Sequence, residues 1–553
     1  MQSRQTRYGA LTVASAFVAY LVPMTLFAPV AHSQVRVPAA ALVDQAELQR
    51  VLQEGADLER NRHWSDALHH YEKGLKAFPG QRSIEERLTL SRVHWDIVRR
   101  SHDSSYVGSV NAMSELQSLD LYAEVLLKVH AHYVTTPDWR AVAQRGALFL
   151  EVALDEPGFT DRYLPSVTPE QKRAFIAELR RTMAMRVVRS RYEARDAAAA
   201  IAHLAAARLG LASSATVCEF TCGALGSLDQ YTSFLTAAQL DEVFSQIEGN
   251  FVGLGVELKA EDHALLIVNV IKGGPADAAG IKSGDRITEV DRKSMYDITT
   301  DQAADMLRGT EGSSVDLLVV GPEARERQVQ VRRARVEVPS VEGVQLIDPD
   351  YGVGYMRISS FQKTTVADAD AALWDLHRQG MRSLIIDVRG NPGGLLTASV
   401  ELADKFLEKG VIVSTRGRSS QEDFDYQAHA AGTWRMPLVV LIDGDSASAS
   451  EIFAGAIHDH HRGQVVGETS YGKGSVQGIF PLTGAKSGVR LTTAKFFSPS
   501  GQAISDRGVT PDMVVRTVAK PEAVAGGTIA ESKEDRVLQA GVQVARQQIS
   551  QRQ

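Results

Sequence analysis

Cysteine is nearly absent. Cys218 and Cys222 are the only two in 553 residues, which excludes a disulfide-stapled scaffold and a cysteine-rich zinc site. The pair lies four residues apart, poor geometry for a bridge on a regular helix. A disulfide and two free thiols both stay open, and no metal or other cofactor is expected. An excess of positive charge is missing too: 60 Lys and Arg against 67 Asp and Glu give a net charge of -7. Nucleic-acid binding would need a basic footprint that this balance does not supply. What remains is an ordinary globular composition, 44% hydrophobic and 23% charged, in a chain long enough for roughly three or four domains.

One long apolar run is present, and it comes first. Arg4 and Arg7 precede the stretch from Ala10 to Val30, and Ala31-His-Ser33 resembles a small-x-small cleavage site. Residues 1–33 are therefore expected to be a signal peptide, with export to the periplasm. The run is also long enough to stay uncut as an anchor in the inner membrane.

The densest chemistry lies near residue 448. Leu438-Val-Val-Leu-Ile442 reads as a buried strand and Asp443-Gly-Asp445 as a turn, while Ala449, Ile452, Phe453, Ala456 and Ile457 fall at helical spacing. Ser448 thus sits where a strand turns into a helix. Ser448-Ala-Ser-Glu451 also reads as a capping box, in which a hydroxyl and a carboxylate satisfy free amides at a helix start. A catalytic reading needs a base, and Lys473 offers one, in a glycine-flanked turn between Gln464-Val-Val-Gly467 and Val476-Gln-Gly-Ile-Phe480. A lysine amine takes a serine proton only when burial lowers its pKa enough to keep it neutral.

Gly467-Glu-Thr-Ser-Tyr-Gly472-Lys473 nearly matches a phosphate-binding loop. However, Gly474 stands where a Ser or Thr belongs, and a β-rich segment follows where a helix should open. Acyl transfer also needs amides to hold an oxyanion. Ser383-Leu-Ile-Ile-Asp-Val388 leads into the turn Arg389-Gly-Asn-Pro-Gly-Gly394, so the amides of Gly394 and Ala449 form a candidate pair. An ordinary tight strand-to-helix turn reads the same way.

Four segments occur in one order: Arg389 to Gly394, Ser446-Ala-Ser-Ala-Ser-Glu-Ile452, Gly467 to Gln477, and Ser500-Gly-Gln-Ala-Ile504 with Gly508-Val-Thr-Pro-Asp512. The stretch from about 340 to 515 resembles the carboxyl-terminal processing (tail-specific) serine proteases. The resemblance implies Ser448 as nucleophile, Lys473 as general base, Gln477 as the residue that orients the lysine, and Gly394 and Ala449 as the oxyanion amides. Glu451 and Asp459 match acidic positions of the family. At 1.5 Å per helical residue Asp459 lies about 16 Å from Ser448 and His458 about 15 Å, so Asp459 is expected to brace the fold and His458-Asp-His-His461 to be a solvated helix end. Ser470 stands where the family more often has threonine, and it keeps the hydroxyl.

Upstream, Gly253-Leu254-Gly255-Val256 begins a series continuing through Ile267-Val-Asn-Val-Ile271, Gly274-Pro-Ala276, Ala279-Gly-Ile281 and Gly284-Asp-Arg-Ile287. It resembles a PDZ domain, whose loop amides take a peptide carboxylate while the bound tail adds a strand to the sheet edge. Val319-Val-Gly-Pro322 lacks the basic residue that the family often carries there. Before this module the chain is helix-rich. Trp64, Ala67, Leu68, Tyr71, Leu75, Phe78 and Pro79 fit the second half of a tetratricopeptide-like hairpin, between helices at about 46–60 and 83–100. It serves either a partner, adaptor or self-association, or simply core packing. Segments 121–154 and 225–244 resemble the helices that precede PDZ in these proteases, and the Ala-rich portion from about 160 to 212 reads as an inserted helical piece.

The fold expected is multidomain α/β: an N-terminal helical domain, a β-rich PDZ domain and a ClpP/crotonase-like α/β protease core. The divisions are 1–33 signal peptide, 34–105 tetratricopeptide-like region, 106–247 helical region with insertion, 248–335 PDZ, 336–518 protease core and 519–553 helical tail. The function expected is an exported serine endopeptidase that captures C-terminal tails of protein substrates and cuts them. The alternative is a catalytically idle peptide-binding scaffold.

Overall fold

Uninterrupted apolar runs make the centre of the fold. Ser383–Asp387 and Leu438–Ile442 are buried along their whole length, as strands covered on both faces must be. In the computed structural model, which describes residues 39–261, 264–296, 306–323, 325–516 and 535–551, they are the middle pair of a six-stranded sheet. The expected leader lies outside the described residues. Strand order is Val341–Asp348, Val353–Ile358, Ser383–Asp387, Leu438–Ile442, Gln464–Gly467 and Met513–Val514. The first pair is antiparallel and the rest are parallel.

Period-2 alternation sorts the side chains of this sheet. Leu384, Ile386, Leu438, Val440 and Ile442 share a core with the helices Thr365–Arg378, Leu396–Asp404 and Ala449–Asp459. Ile385, Val439 and Leu441 face the other way, onto Val537, Val544, Ala545 and Ile549 of the helix Arg536–Gln551. The segment expected as a helical tail is thus, over its described part, the cover of the sheet's second face. Asp535 fixes its start by accepting both Arg389 Nη atoms at 2.8 Å.

A second sheet runs Ser233–Leu235, Gly488–Phe497, Val411–Gly417 and Phe424–Gln427, with Ser475–Pro481 also paired to Gly488–Phe497. It brings the segment around Tyr231 beside the strands that follow Lys473. The helices Glu115–His132, Trp139–Ala153 and Arg191–Leu209 surround Ser213–Leu225, which is buried over nearly its whole length. The Ala-rich piece expected as an insertion is integral to this layer. Ala194, Ala197, Ala198, Ile201, Ala202 and Ala205 are fully buried, because small side chains let helices approach closely. Cys218 and Cys222 lie on the central helix, both buried and free. Burial pushes the Cys222 thiol up to about 12.

Residues 250–337 form a β-rich domain. Its sheet runs Val256–Glu261, Ala264–Val270, Arg286–Val290, Ser314–Val320 and Glu326–Arg332, all neighbours antiparallel. Val256–Glu261 stands at one edge and, among the described residues, pairs only with Ala264–Val270.

The chain divides into two compact units, Met1–Ser91 and Arg92–Gln553. In the first, helices Ala39–Arg60 and Trp64–Ala77 and the start of Arg82–His102 pack around Ala67, Tyr71, Ile84 and Leu88. The apolar spacing predicted this hairpin, and its first helix begins earlier than the expected residue 46. Among the described residues no helix is long and apolar enough to cross a membrane.

Candidate active site

Three parallel strands deliver the site. Ser383–Asp387, Leu438–Ile442 and Gln464–Gly467 end at the same edge of the sheet, and their following loops carry residues 389–394, 443–448 and 468–473. Ligand sites of α/β sheets form at this edge because the loops converge there.

Hydrogen bonding separates the three serines of the middle loop. Ser446 Oγ donates to the Val388 carbonyl at 2.8 Å and Ser450 Oγ to the Asn391 carbonyl at 3.0 Å, and both residues are fully buried. Ser448 is partly exposed and adopts φ 55° and ψ -112° just before the helix Ala449–Asp459. That backbone region is rarely taken by non-glycine residues, and such strain gathers at functional turns. A serine on a sharp strand-to-helix turn is the placement a nucleophile needs.

Glu451 joins this loop to the one bearing the lysine. Fully buried, it accepts the Ser448 amide at 2.7 Å and the Lys473 amide at 2.9 Å on Oε2. Its Oε1 accepts Ser470 Oγ at 2.7 Å and the Gly472 amide at 2.6 Å. The capping-box glutamate is therefore present at the helix start, and it also ties the lysine loop to the serine. Ser470 Oγ in turn accepts the Val509 amide at 2.6 Å, anchoring the lysine loop from the other side.

The Arg389–Gly394 turn lies against Ser448. Asn391 holds it there: Nδ2 donates to the Ile358 carbonyl, Oδ1 accepts the Gly393 amide, and its carbonyl accepts the Ala447 amide at 3.0 Å. Neither the Gly394 nor the Ala449 amide donates to a described residue, which leaves both as donors for an oxyanion. Gly393, which the sequence reading passed over, makes the closest approach. A Cβ there would stand 2.8 Å from Ser448 Cβ and 3.0 Å from the Ala449 nitrogen, at φ +108°. Gly393→Ala is expected to lower kcat by about 10²-fold, because a displacement of about 1 Å at a reacting group costs that much. Steady-state kinetics on a tail-bearing peptide would measure it; an unchanged kcat would show that the turn does not constrain the serine.

Lys473 is partly buried. Burial first, and then the like charge of Arg490, hold its amine below the ordinary lysine range, against the opposing pull of Glu451. Its Nζ lies 5.1 Å from the ring centre of Tyr231 and makes no hydrogen bond to Ser448 Oγ. Gln477, which the resemblance names as the residue that orients the lysine, makes no hydrogen bond to it in this structure. Gln477 Nε2 donates instead to Thr492 Oγ1 at 2.9 Å and Ser475 Oγ at 3.2 Å, and its Oε1 is buried without a partner. The face of the Tyr231 ring attracts the ammonium and seats it in this structure. Tyr231 reaches Lys473 from more than two hundred residues upstream, a pairing that no local pattern announces.

Asp459 stays away from this cluster, as helix geometry requires. It accepts Ser498 Oγ at 2.6 Å and the Ser500 amide at 3.0 Å, bracing the loop before Ile504. His458 pairs with Asp459 at 2.9 Å, and among the described residues no group of His, Cys, Asp and Glu could hold a metal ion.

The candidate peptide loop forms a separate site. Leu254 packs into the β-domain core, its carbonyl accepts the Ala276 amide, and the Gly255 carbonyl accepts the Ile271 amide. Gly255 takes φ +78°, which turns the loop from Gly253 into the edge strand that begins at Val256. Neither the Leu254 nor the Gly255 amide donates to a described residue. A free edge beside free amides suits an extended peptide ending in a carboxylate.

Known proteins match these regions. Residues 352–515 match peptidase family S41 and residues 266–321 match the PDZ domain. A carboxy-terminal-processing protease of Bartonella bacilliformis is 38% identical over 300 residues, covering 53% of this chain and 68% of the relative. A probable CtpA-like serine protease of Staphylococcus epidermidis is 32% identical over 291 residues, covering 52% of this chain and 58% of that one. Among solved structures, the photosystem II D1 C-terminal processing protease matches 72% of this chain and 93% of its own, with 26% identity and a TM-score of 0.38.

Proposed function

From the premise that the chain belongs to the carboxy-terminal-processing proteases of peptidase family S41, we propose that it is an exported serine endopeptidase. In this reading the PDZ domain captures an unstructured C-terminal tail of a protein substrate and a Ser448–Lys473 dyad cuts it. The observation that carries the proposal is Glu451, whose buried carboxylate binds the backbone of both dyad residues.

The chemistry follows from the groups present. Neutral Lys473 removes the Ser448 proton, the Ser448 oxygen attacks the peptide carbonyl, and the amides of Gly394 and Ala449 hold the oxyanion. Lysine then protonates the departing amine, and water attacks the acyl-enzyme to free the carboxylate. For this Lys473 Nζ must leave Tyr231 and turn to Ser448. The unpaired Gln477 Oε1 is an acceptor that would receive the amine in that position. No cofactor takes part in this sequence of steps. Export rests on the leader, with the periplasm as the compartment and membrane anchoring if the leader stays uncut. The N-terminal helical hairpin is assigned to an adaptor or to self-association.

A second reading, an idle tail-binding scaffold, is favoured by the missing Ser448–Lys473 hydrogen bond and by the seat of Lys473 on Tyr231. Purified full-length protein incubated with a reporter bearing an unstructured apolar tail separates the two. Mass spectrometry is expected to detect a shortened reporter; binding by the PDZ domain without any shortening, under every condition of assembly, would leave the scaffold.

A further inference from the structure

A cavity of about 390 Å³ lies behind the strand Ser233–Leu235, walled by Asp96, Arg99, Arg100, Ser233, Glu242 and Arg490 among others. Its charges do not balance. Arg100 commits Nη2 to Glu219 at 2.6 Å, while its buried Nε donates to nothing. Arg99 and Arg490 have no carboxylate within ion-pair distance among the described residues. The two acids compensate only in part: Glu242 acts on Arg490 but lies 3.3 Å from Arg308, and burial raises the pKa of the Asp96 carboxyl against the opposing pull of Arg100 and Arg99. Arg100 is buried and Arg490 half-buried, so guanidinium N–H groups left without an acceptor there are costly, while Arg99 is exposed; the planar forks of all three match the oxygens of carboxylate or phosphate.

We propose that this cavity is an anion-binding site, which takes a carboxylate or phosphate group between Arg99, Arg100 and Arg490. The site adjoins the proposed dyad. Arg490 pairs with Ser233 across the sheet, two residues from Tyr231 on one strand and two from Thr492, the partner of Gln477, on the other. Lys473 is faced by Arg490, Glu451 and Tyr231. An anion held by Arg490 offsets the positive charge that opposes protonation of Lys473. An occupied cavity therefore moves the acidic limb of any lysine-dependent rate to higher pH, and lowers the rate at a fixed pH on that limb.

The test begins with binding, which is independent of peptidase activity. Inorganic phosphate and citrate are titrated into the full-length protein by calorimetry, with sodium chloride at matched ionic strength as control. Saturable binding is expected, weakened about tenfold or more by Arg99→Gln and by Arg490→Gln, with circular dichroism confirming that both variants fold. No saturable binding by either anion, or equal affinity in both variants, overturns the site. A second arm rests on the proposed peptidase function and identifies the source of the anion. A lower KM together with an acidic limb at higher pH for a reporter with Glu rather than Gln near the cut, both lost in Arg490→Gln, assigns the site to a substrate side chain. Equal cleavage of the two reporters, with phosphate still bound, assigns it to a free anion. Failure of every reporter to be cut removes the proposed function and leaves the binding result standing.

Discussion

Ser448→Ala and Lys473→Ala are each expected to abolish cleavage of a tail-bearing reporter, with kcat falling on the order of 10⁶-fold, the scale of losing a nucleophile or its base. Neither change should unfold the protein. Ser448 is partly exposed, and alanine fits wherever serine does; Lys473 offers no side-chain hydrogen bond whose loss would leave a partner stranded. A third substitution tells strain from chemistry. Ser448→Gly also removes the hydroxyl, but glycine takes φ 55° without penalty, so this variant should gain about 1 kcal/mol while remaining inactive. Full activity in Ser448→Ala or Lys473→Ala would sink the assignment. The pH dependence has a definite sign. The base works only when deprotonated, and burial with Arg490 depresses its pKa, so the rate should rise with pH on a limb that lies below the ordinary lysine value. Removing the like charge by Arg490→Gln should return that limb toward higher pH.

Glu451→Ala should damage stability and activity together. The carboxylate is fully buried and accepts four donors, three of them backbone amides. Each stranded buried donor costs about 1–3 kcal/mol, and a loss of about 3–5 kcal/mol overall is the size expected for breaking such a network. The catalytic loss should reach about 10²-fold even where the variant still folds, because the Ser448 and Lys473 loops lose their common attachment. Glu451→Gln keeps the volume but presents an amide donor to sites that need an acceptor, so it should recover only part of either quantity. Calorimetric unfolding with kcat measured on the folded fraction would decide. A variant that unfolds like the parent and cleaves normally would mean that the buried glutamate positions nothing.

How much of this could be read in advance depended on the range of the interactions. Leu438–Ile442 declared itself as a buried strand because an unbroken apolar run admits little else, and the spacing from Ala449 to Ile457 gave the helix after it. The sequence also placed Ser448 at their junction. It did not reveal why Ser446 and Ser450 are ineligible, since their hydroxyls are spent on carbonyls about sixty residues away, at Val388 and Asn391. Glu451 was legible as a cap; its bonds to Gly472 and Lys473 depend on two strand ends meeting at one sheet edge. Asn391 was legible only as part of the Arg389–Gly394 turn, and the parts Tyr231 and Arg490 play beside Lys473 carried no local signature. The Ala-rich stretch was legible as an inserted helical piece; that its small side chains line a close helix packing depends on the neighbouring helices.

The helix Arg536–Gln551 has a consequence for the speed of folding. The middle strands of the sheet have a dry second face only when this helix is docked, and its ties reach across long stretches of chain: Asp535 to Arg389 spans 146 residues and Arg546 to Asp348 spans 198. Contacts of such separation form late, because loop-closure entropy is spent before they return anything. Until then Ile385, Val439 and Leu441 present an apolar parallel sheet to water, the kind of surface on which unfinished chains associate. Refolding should therefore be slow and sensitive to protein concentration, with its yield set by the helix that closes the sheet and not by the residues that cut.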